Sequence, residues 1–217
     1  SASMGEFDID VFEPNLKNNI RTCESLVLNK WQNQWEQEAS TLPRKIGSPI
    51  VNVWNAGISD IAGTFKFFES YGNPGGGRFG GFGNNRTDYT ELPATTLDTF
   101  AEERSWFYSQ PEIAILQIDV EEDNSKVLVG AQKLLKSGIV QNIFTEVKLR
   151  DDPVEKSKEL AAHELLVQAG YKLKGHGGWS GPGKDSKWPN DANLVKSIFD
   201  YHEKEIKSSL TMWWSLE

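Results

Sequence analysis

The stretch from Ile113 to Lys148, IAILQIDVEEDNSKVLVGAQKLLKSGIVQNIFTEVK, constrains the fold more than any other. An apolar run of strand length, Ile113 to Ile118, ends abruptly in Asp119, Glu121, Glu122 and Asp123. A helical pattern follows at once, with Val127, Ala131, Leu134 and Leu135 on one face. A second apolar run, Ile139 to Phe144, then ends in Thr145-Glu146. This is the pattern of a βαβ unit with acids at the carboxyl ends of both strands. In open α/β sheets ligands sit in the crevice outside those ends, so the acids stand where binding or chemistry takes place. AILQI is nearly continuous apolar sequence and reads as a central strand.

Strand-like segments flank this unit. Phe7 to Phe12 alternates apolar residues with Asp8 and Asp10, the mark of a strand with one wet face. Glu13-Pro14-Asn15 closes it. A helix follows whose apolar positions Leu16, Ile20, Cys23, Val27 and Trp31 step by three or four, a stripe expected to face the core with Cys23 as a small packed residue. Trp31 and Trp35 fall one turn apart near its end, before Leu42-Pro43 stops it, and are read as packing residues. Ile50 to Trp54 and Gly63 to Phe68 are further strands. Thr95 or Thr96 caps a helix to about Arg104, with Asp98 in its first turn. Val154 to Ala169 is helical up to Gly170. Tyr171 to Lys174 is a short strand, Asp191 opens a helix carrying His202 on its apolar face, and Leu210 to Leu216 returns as a last strand.

Two glycine-rich segments interrupt this order. Residues 71–89 hold seven glycines between Gly72 and Gly83, with Phe79 and Phe82 among them. No helix start follows, as a phosphate-cradling loop requires, so the segment is read as a mobile flap. Gly175 to Pro189 is a second such loop. His176 within it is the one histidine to test for function; His163 lies on a helix with a mixed face.

Three further pieces join the central unit: VFEPN at Val11 to Asn15, NAGISDIAGTFKFF at Asn55 to Phe68, and TTLDTF at Thr95 to Phe100. Together, and in this order, they resemble the FkbM family of S-adenosylmethionine-dependent methyltransferases. The likeness runs from Asp8 to about Tyr171. It implies an α/β, Rossmann-like methyltransferase fold: a mostly parallel twisted sheet with one antiparallel strand near the carboxyl terminus and helices on both faces.

The resemblance also implies roles. Glu13, with Pro14 and Asn15, would take the ribose hydroxyls of S-adenosylmethionine, an acid at a strand end serving there as in dinucleotide sites. Asn55, Ala56 and Gly57 would edge the adenine pocket, where small residues suit a flat ring. Asp119 and Glu121 fall where related enzymes contact the methionine end or the methyl acceptor, and Glu146 is a further acid of that kind. A carboxylate there can orient an ammonium group or draw a proton from a hydroxyl, and neighbouring acids can also hold Mg²⁺. The implied activity is O-methylation of a carbohydrate or small metabolite. The other reading is a methyltransferase-like domain that binds without catalysis.

The sequence departs from the family pattern in two places. The family shows Lys-Ile-Asp-Val-Glu-Gly, whereas here Gln117 stands for the Lys and Glu122-Asp123-Asn124 for the glycine turn. The family's first strand and glycine-rich turn, which grip the methionine end, have no counterpart before VFEPN. The domain is therefore expected to be amino-terminally truncated and to bind cofactor weakly. Phe7 to Phe12 is expected to pair directly with Ile113 to Ile118, or two copies to associate through an open edge as a homodimer, or the strand with its Asp8 and Asp10 face to sit peripherally. Residues 1–7 read as a tag or tail, with Ser1-Ala2-Ser3 a vector remnant ahead of Met4.

Composition narrows the partners. With 217 residues, 38% hydrophobic and 25% charged, the chain can bury one substantial core, so a single domain over residues 1–217 is expected. A net charge of −8 and the lack of a basic run exclude a nucleic-acid backbone as the main partner, leaving a small-molecule substrate. The single cysteine rules out an internal disulfide, and no His/Cys spacing suggests zinc, so no metal site is assigned. No apolar run reaches the length of a membrane span, and no secretory signal is apparent. A reduced, cytoplasmic setting is favoured.

Overall fold

In the computed structural model, residues 8–29, 32–33, 50–73, 75–80, 86–120, 124–148, 152–178, 181–182, 196 and 209–216 are described. The chain divides into two compact units, one of residues Ser1–Gly57 and Gly63–Ala94, the other of Ile58–Ala62 and Thr95–Glu217.

The first unit opens with β1, Asp8–Phe12, which runs parallel to β3, Ile50–Trp54, in register from Asp8 opposite Ile50 to Phe12 opposite Trp54. Between them lie α1, Leu16–Leu28, and β2, Gln32–Asn33, which pairs with the other side of β3. The helix ends at Leu28 with Asn29 as its cap, so it stops short of the expected Trp31; Trp31 and Trp35 lie outside the described residues. Its docking also differs from the stripe in the sequence. Leu16, Ile20 and Val27 are exposed, while Asn19 and Leu26 are buried and Cys23 is only half-buried. The helix start is capped by polar bonds: Asn15 Oδ1 accepts the Lys17 and Asn18 N–H groups, and Asn19 reaches back to the Glu13 carbonyl.

After β4, Gly57–Ile58, at the boundary between the units, β5 (Gly63–Phe68) pairs antiparallel with β6 (Arg78–Phe79) and β7 (Thr90–Thr95). The described part of the glycine segment is therefore tied at several points. Phe79 meets Phe65 and Phe67 edge-on, with ring centroids 6.1 and 5.4 Å apart. Near the segment's ends, Tyr71 Oη donates to Asp88 Oδ2 at 2.5 Å, and Arg86 donates to Asp88 and to the Glu69 carbonyl.

The second unit holds the βαβ pattern. After α2 (Leu97–Glu103) and α3 (Trp106–Ser109) comes β8, Ile113–Ile118. The helical pattern forms two short helices, α4 (Asn124–Val129) and α5 (Gln132–Lys136), with Val127, Ala131, Leu134 and Leu135 all buried as expected. The break falls at Gly130, where a Cβ would come within 2.2 Å of the Ser59 carbonyl oxygen, so the helix passes too close to a backbone for any side chain. Thr96 caps α2 through the Thr99 N–H, as read from sequence. Asp98 lies in the first turn of α2 as expected, and its carboxylate also accepts the Lys133 and Leu134 N–H groups at 2.9 and 2.8 Å and so caps α5.

Strand β9, Val140–Lys148, runs parallel to β8; α6, Pro153–Gln168, ends at Gly170 with φ 92°, the left-handed terminus expected there. Strands β10 (Lys172–Gly178), β11 (Gly181–Pro182) and β12 (Ser209–Ser215) complete the sheet in the order β11-β10-β12-β9-β8. Ile118, Ile143, Thr145, Met212 and Trp214 are buried on its helix-covered face. The opposite face carries Ile115 and Trp213, which are exposed by 61% and 41%, so it is not packed like the first.

Three expectations change. The sheets are mixed rather than mostly parallel, because β12 inserts antiparallel between β9 and β10 and because β5, β6 and β7 pair antiparallel. Ile113–Ile118 is an edge strand, not a central one; among the described residues its only ladder partner is β9. It does not pair with β1, which belongs to another sheet and takes β3 as its partner. An apolar run records burial within a filled sheet, and it does not name the neighbour that fills it. The helix read from Asp191 lies outside the described residues, apart from Lys196.

Candidate functional site

The residues singled out in the first unit converge. Glu13 follows β1, and its N–H donates to the Trp54 carbonyl at 3.0 Å, extending the ladder one step beyond the strand. Asn55, one residue past β3, turns its amide onto the same loop: Nδ2 donates to the Glu13 carbonyl at 3.1 Å and to the Pro14 carbonyl at 2.9 Å. Two adjacent parallel strand ends are thus bolted together by one side chain. Pro14 removes a backbone donor from this turn, and Asn15 caps the helix that leaves it.

The Glu13 carboxylate is half-buried. Its Oε1 accepts the Asn15 N–H at 2.7 Å. Burial raises its pKa above the ordinary carboxylate value, and the bonds from Asn15 and Asn18 offset only part of that rise. Ala56 is half-buried beside it and Gly57 fully so. A Cβ on Gly57 would lie 1.9 Å from Phe79 Cε2, so the room beside Gly57 is filled by the Phe79 ring. The absence of a side chain at position 57 is thus explained by packing against the glycine segment.

In the second unit, Asp119 is exposed just past β8, and Glu146 is half-buried near the end of β9. Their strands are adjacent and parallel, with Ile118 opposite Thr145, so each acid stands one residue past the last β8–β9 pair, Asp119 beyond the end of β8 and Glu146 still within β9. Glu121 lies outside the described residues, as do Glu122 and Asp123. Among the described residues, no group of three His, Cys, Asp or Glu side chains is placed to hold a metal ion.

Beneath these acids lies a polar layer that the sequence did not announce. Asn124, Ser125, Thr145, Glu159 and His163 are all buried. His163 Nδ1 lies 2.8 Å from the Glu159 carbonyl oxygen, which can only accept, so Nδ1 carries the proton; Nε2 then accepts the Thr145 hydroxyl at 3.2 Å. Burial lowers the His163 pKa to about 4, so the ring is neutral at pH 7. Glu159 Oε1 accepts the Ser125 N–H at 3.2 Å. The mixed composition of the α6 face hid this histidine, and its i, i+4 spacing from Glu159 was the one available signal. The side chain of His176 in β10 lies outside the described residues, as does His202.

The family model of the methyltransferase FkbM domain matches residues 7–173 of the chain. The chain belongs to that family. No curated protein and no solved structure matches it. The FkbM match covers both clusters of candidate residues, from Glu13 to Glu146, and the protein is a methyltransferase at the level of its family. No helix among the described residues of this FkbM domain is long and apolar enough to cross a membrane.

Proposed function

We propose that this FkbM-family domain transfers a methyl group from S-adenosylmethionine to a hydroxyl oxygen of a carbohydrate or similar small metabolite. The observation that carries the reading is the Glu13 turn. A half-buried carboxylate stands at a parallel strand end, with its main chain fixed by Asn55 and its Oε1 set by the Asn15 N–H. Such a group can accept hydrogen bonds from two vicinal ribose hydroxyls, which is the donor pattern a nucleoside presents. The residues present therefore fit the nucleoside part of the cofactor.

Bound S-adenosylmethionine would supply an electrophilic methyl group on a sulfonium. The protein's share is orientation and proton removal. Asp119 or Glu146 would take the proton from the acceptor hydroxyl as its oxygen forms the new bond to carbon, and would hold that hydroxyl in line. The neutral His163 ring and Thr145 brace the strand that carries Glu146.

Calorimetric titration of the full chain with S-adenosylmethionine tests the reading. Weak binding is expected in the wild-type protein, and Glu13→Ala should weaken it about tenfold or more, the effect of losing a charge-assisted hydrogen bond. Binding that ignores Glu13→Ala would remove the ribose role. Cofactor binding without methyl transfer to any hydroxyl acceptor would favour a binding domain over an enzyme.

A further inference from the structure

We infer that Asn124 is a positioning residue that clamps the main chain at Asp119-Val120 to the main chain at Glu146, and so sets the geometry of the two acids. This rests on the reading that those acids serve methyl transfer.

Asn124 is the first residue of α4, and its side chain is 3% exposed. Its Oδ1 accepts the Val120 N–H at 3.4 Å, and its Nδ2 donates to the Glu146 carbonyl oxygen. Val120 directly follows Asp119, so one amide holds the backbone beside both candidate acids. The ladder between β8 and β9 ends with Ile118 opposite Thr145. The Asn124 bridge joins the two chains beyond that point, at Val120, two residues past Ile118, and at Glu146, one past Thr145, where β9 is paired with β12 but no longer with β8.

The chemistry of the bridge requires an amide. One partner is a donor and the other an acceptor, and the Asn amide meets them with two separate atoms, Oδ1 and Nδ2, on one short stem. Asp is the same shape but offers two acceptors, one of which would face the Glu146 carbonyl oxygen. The layer below is built to hold this residue still. The next N–H, from Ser125, is taken by Glu159, and Thr145, which precedes Glu146, is held by His163. The clamp therefore sits on a fixed floor and touches neither acid's carboxylate.

A group that acts through another is recognised by a loss of turnover that exceeds any loss of binding or folding. A displacement of about 1 Å at reacting groups can cost about 100-fold in rate. Asn124→Ala and Asn124→Asp are to be compared with wild type in the full chain. The measurements are thermal unfolding, calorimetric titration with S-adenosylmethionine, and transfer of tritiated methyl from S-adenosylmethionine to a panel of methyl glycosides. The expected result is a kcat lowered about 100-fold in both variants, with the cofactor Kd changed less than about threefold in protein that remains folded at the assay temperature. Asn124→Ser, which keeps one hydrogen-bonding group, should recover part of the loss. A kcat within about threefold of wild type in folded Asn124→Ala overturns the inference.

If the wild-type protein transfers no methyl group, the proposed activity fails but the clamp can still be judged. Carbon-13 NMR titration of the Asp119 and Glu146 carboxyls should then show altered midpoints in Asn124→Ala. Midpoints identical to those of wild type would overturn the clamp independently of any activity.

Discussion

Glu13 in the first unit and His163 in the second both have their ionisation shifted by burial, and in opposite directions. Burial penalises the charged form in each case, so the Glu13 carboxyl is pushed up while the His163 ring is pushed down to about 4. The consequences differ because the two groups have different tasks. His163 is needed neutral, with one nitrogen donating to a carbonyl and the other accepting a hydroxyl, so its environment and its role agree. Glu13 is needed ionised if it is to accept two ribose hydroxyls, so its environment works against its role. One strand end is braced by a neutral ring, and the other carries a carboxyl whose charged form its burial disfavours. On the proposed reading, such conflict is what a binding site would cost the fold.

The comparison breaks most readily at His163. A histidine whose folded pKa lies below its unfolded value of 6.5 gives stability that is fully present above that value and lost as pH falls towards about 4. The difference between those values corresponds to about 3 kcal/mol. Urea unfolding of wild type should therefore show stability falling between pH 6.5 and pH 4, and His163→Gln should lack that component. Parallel pH profiles for the two proteins would mean that His163 takes up its proton equally in the folded and unfolded chains, and that burial does not depress its pKa.

A smaller test contrasts the close approaches in the two units. Gly57 abuts the Phe79 ring, whereas Gly130 abuts the Ser59 backbone carbonyl. Alanine at either position overpacks, at a cost of about 1–3 kcal/mol, and Gly130→Ala should fall at the upper end because a backbone cannot rotate away. Phe79→Leu should recover part of the stability lost in Gly57→Ala and none of that lost in Gly130→Ala. Recovery of both would show that the two sites share one core, contrary to the local explanation given for each.

How much of this was readable in the sequence depends on the range of the interaction. Strands β1, β3 and β8 fall within a residue of their apolar patterns, since alternation and run length are local properties. The meeting of Glu13 with Asn55 depends on the pairing of β1 with β3, which replaced the expected pairing of Phe7–Phe12 with Ile113–Ile118 and which neither strand's own residues specify. The α1 stripe misled because periodicity gives the spacing of apolar residues and not the face that a neighbour covers: Leu16, Ile20 and Val27 are exposed while Asn19 and Leu26 are buried. Edge status for β8 was hidden because its own residues cannot specify a missing neighbour. Asn124 was lost in an acidic turn, since its bond to the Glu146 carbonyl spans 22 residues and leaves no periodic trace.

The smallest effect separates charge from shape at Glu13. A carboxyl with a raised folded pKa binds its proton in the folded state before the unfolded chain does. Its contribution to stability therefore decreases as pH rises through the ordinary value of 4.5 towards the folded one. Glutamine keeps the shape and the Oε1 that accepts the Asn15 N–H, but carries no charge to desolvate. Glu13→Gln should thus unfold at the same temperature as wild type or slightly higher at pH 7, and the difference should vanish near pH 4. The same substitution should weaken S-adenosylmethionine binding, because one of the two acceptor positions becomes a donor facing a hydroxyl. Scanning calorimetry at both pH values, paired with titration at pH 7, reads the two effects separately. A variant that is less stable at pH 7 than at pH 4, relative to wild type, would show that the Glu13 charge is itself a structural partner, and the contrast with His163 would then disappear.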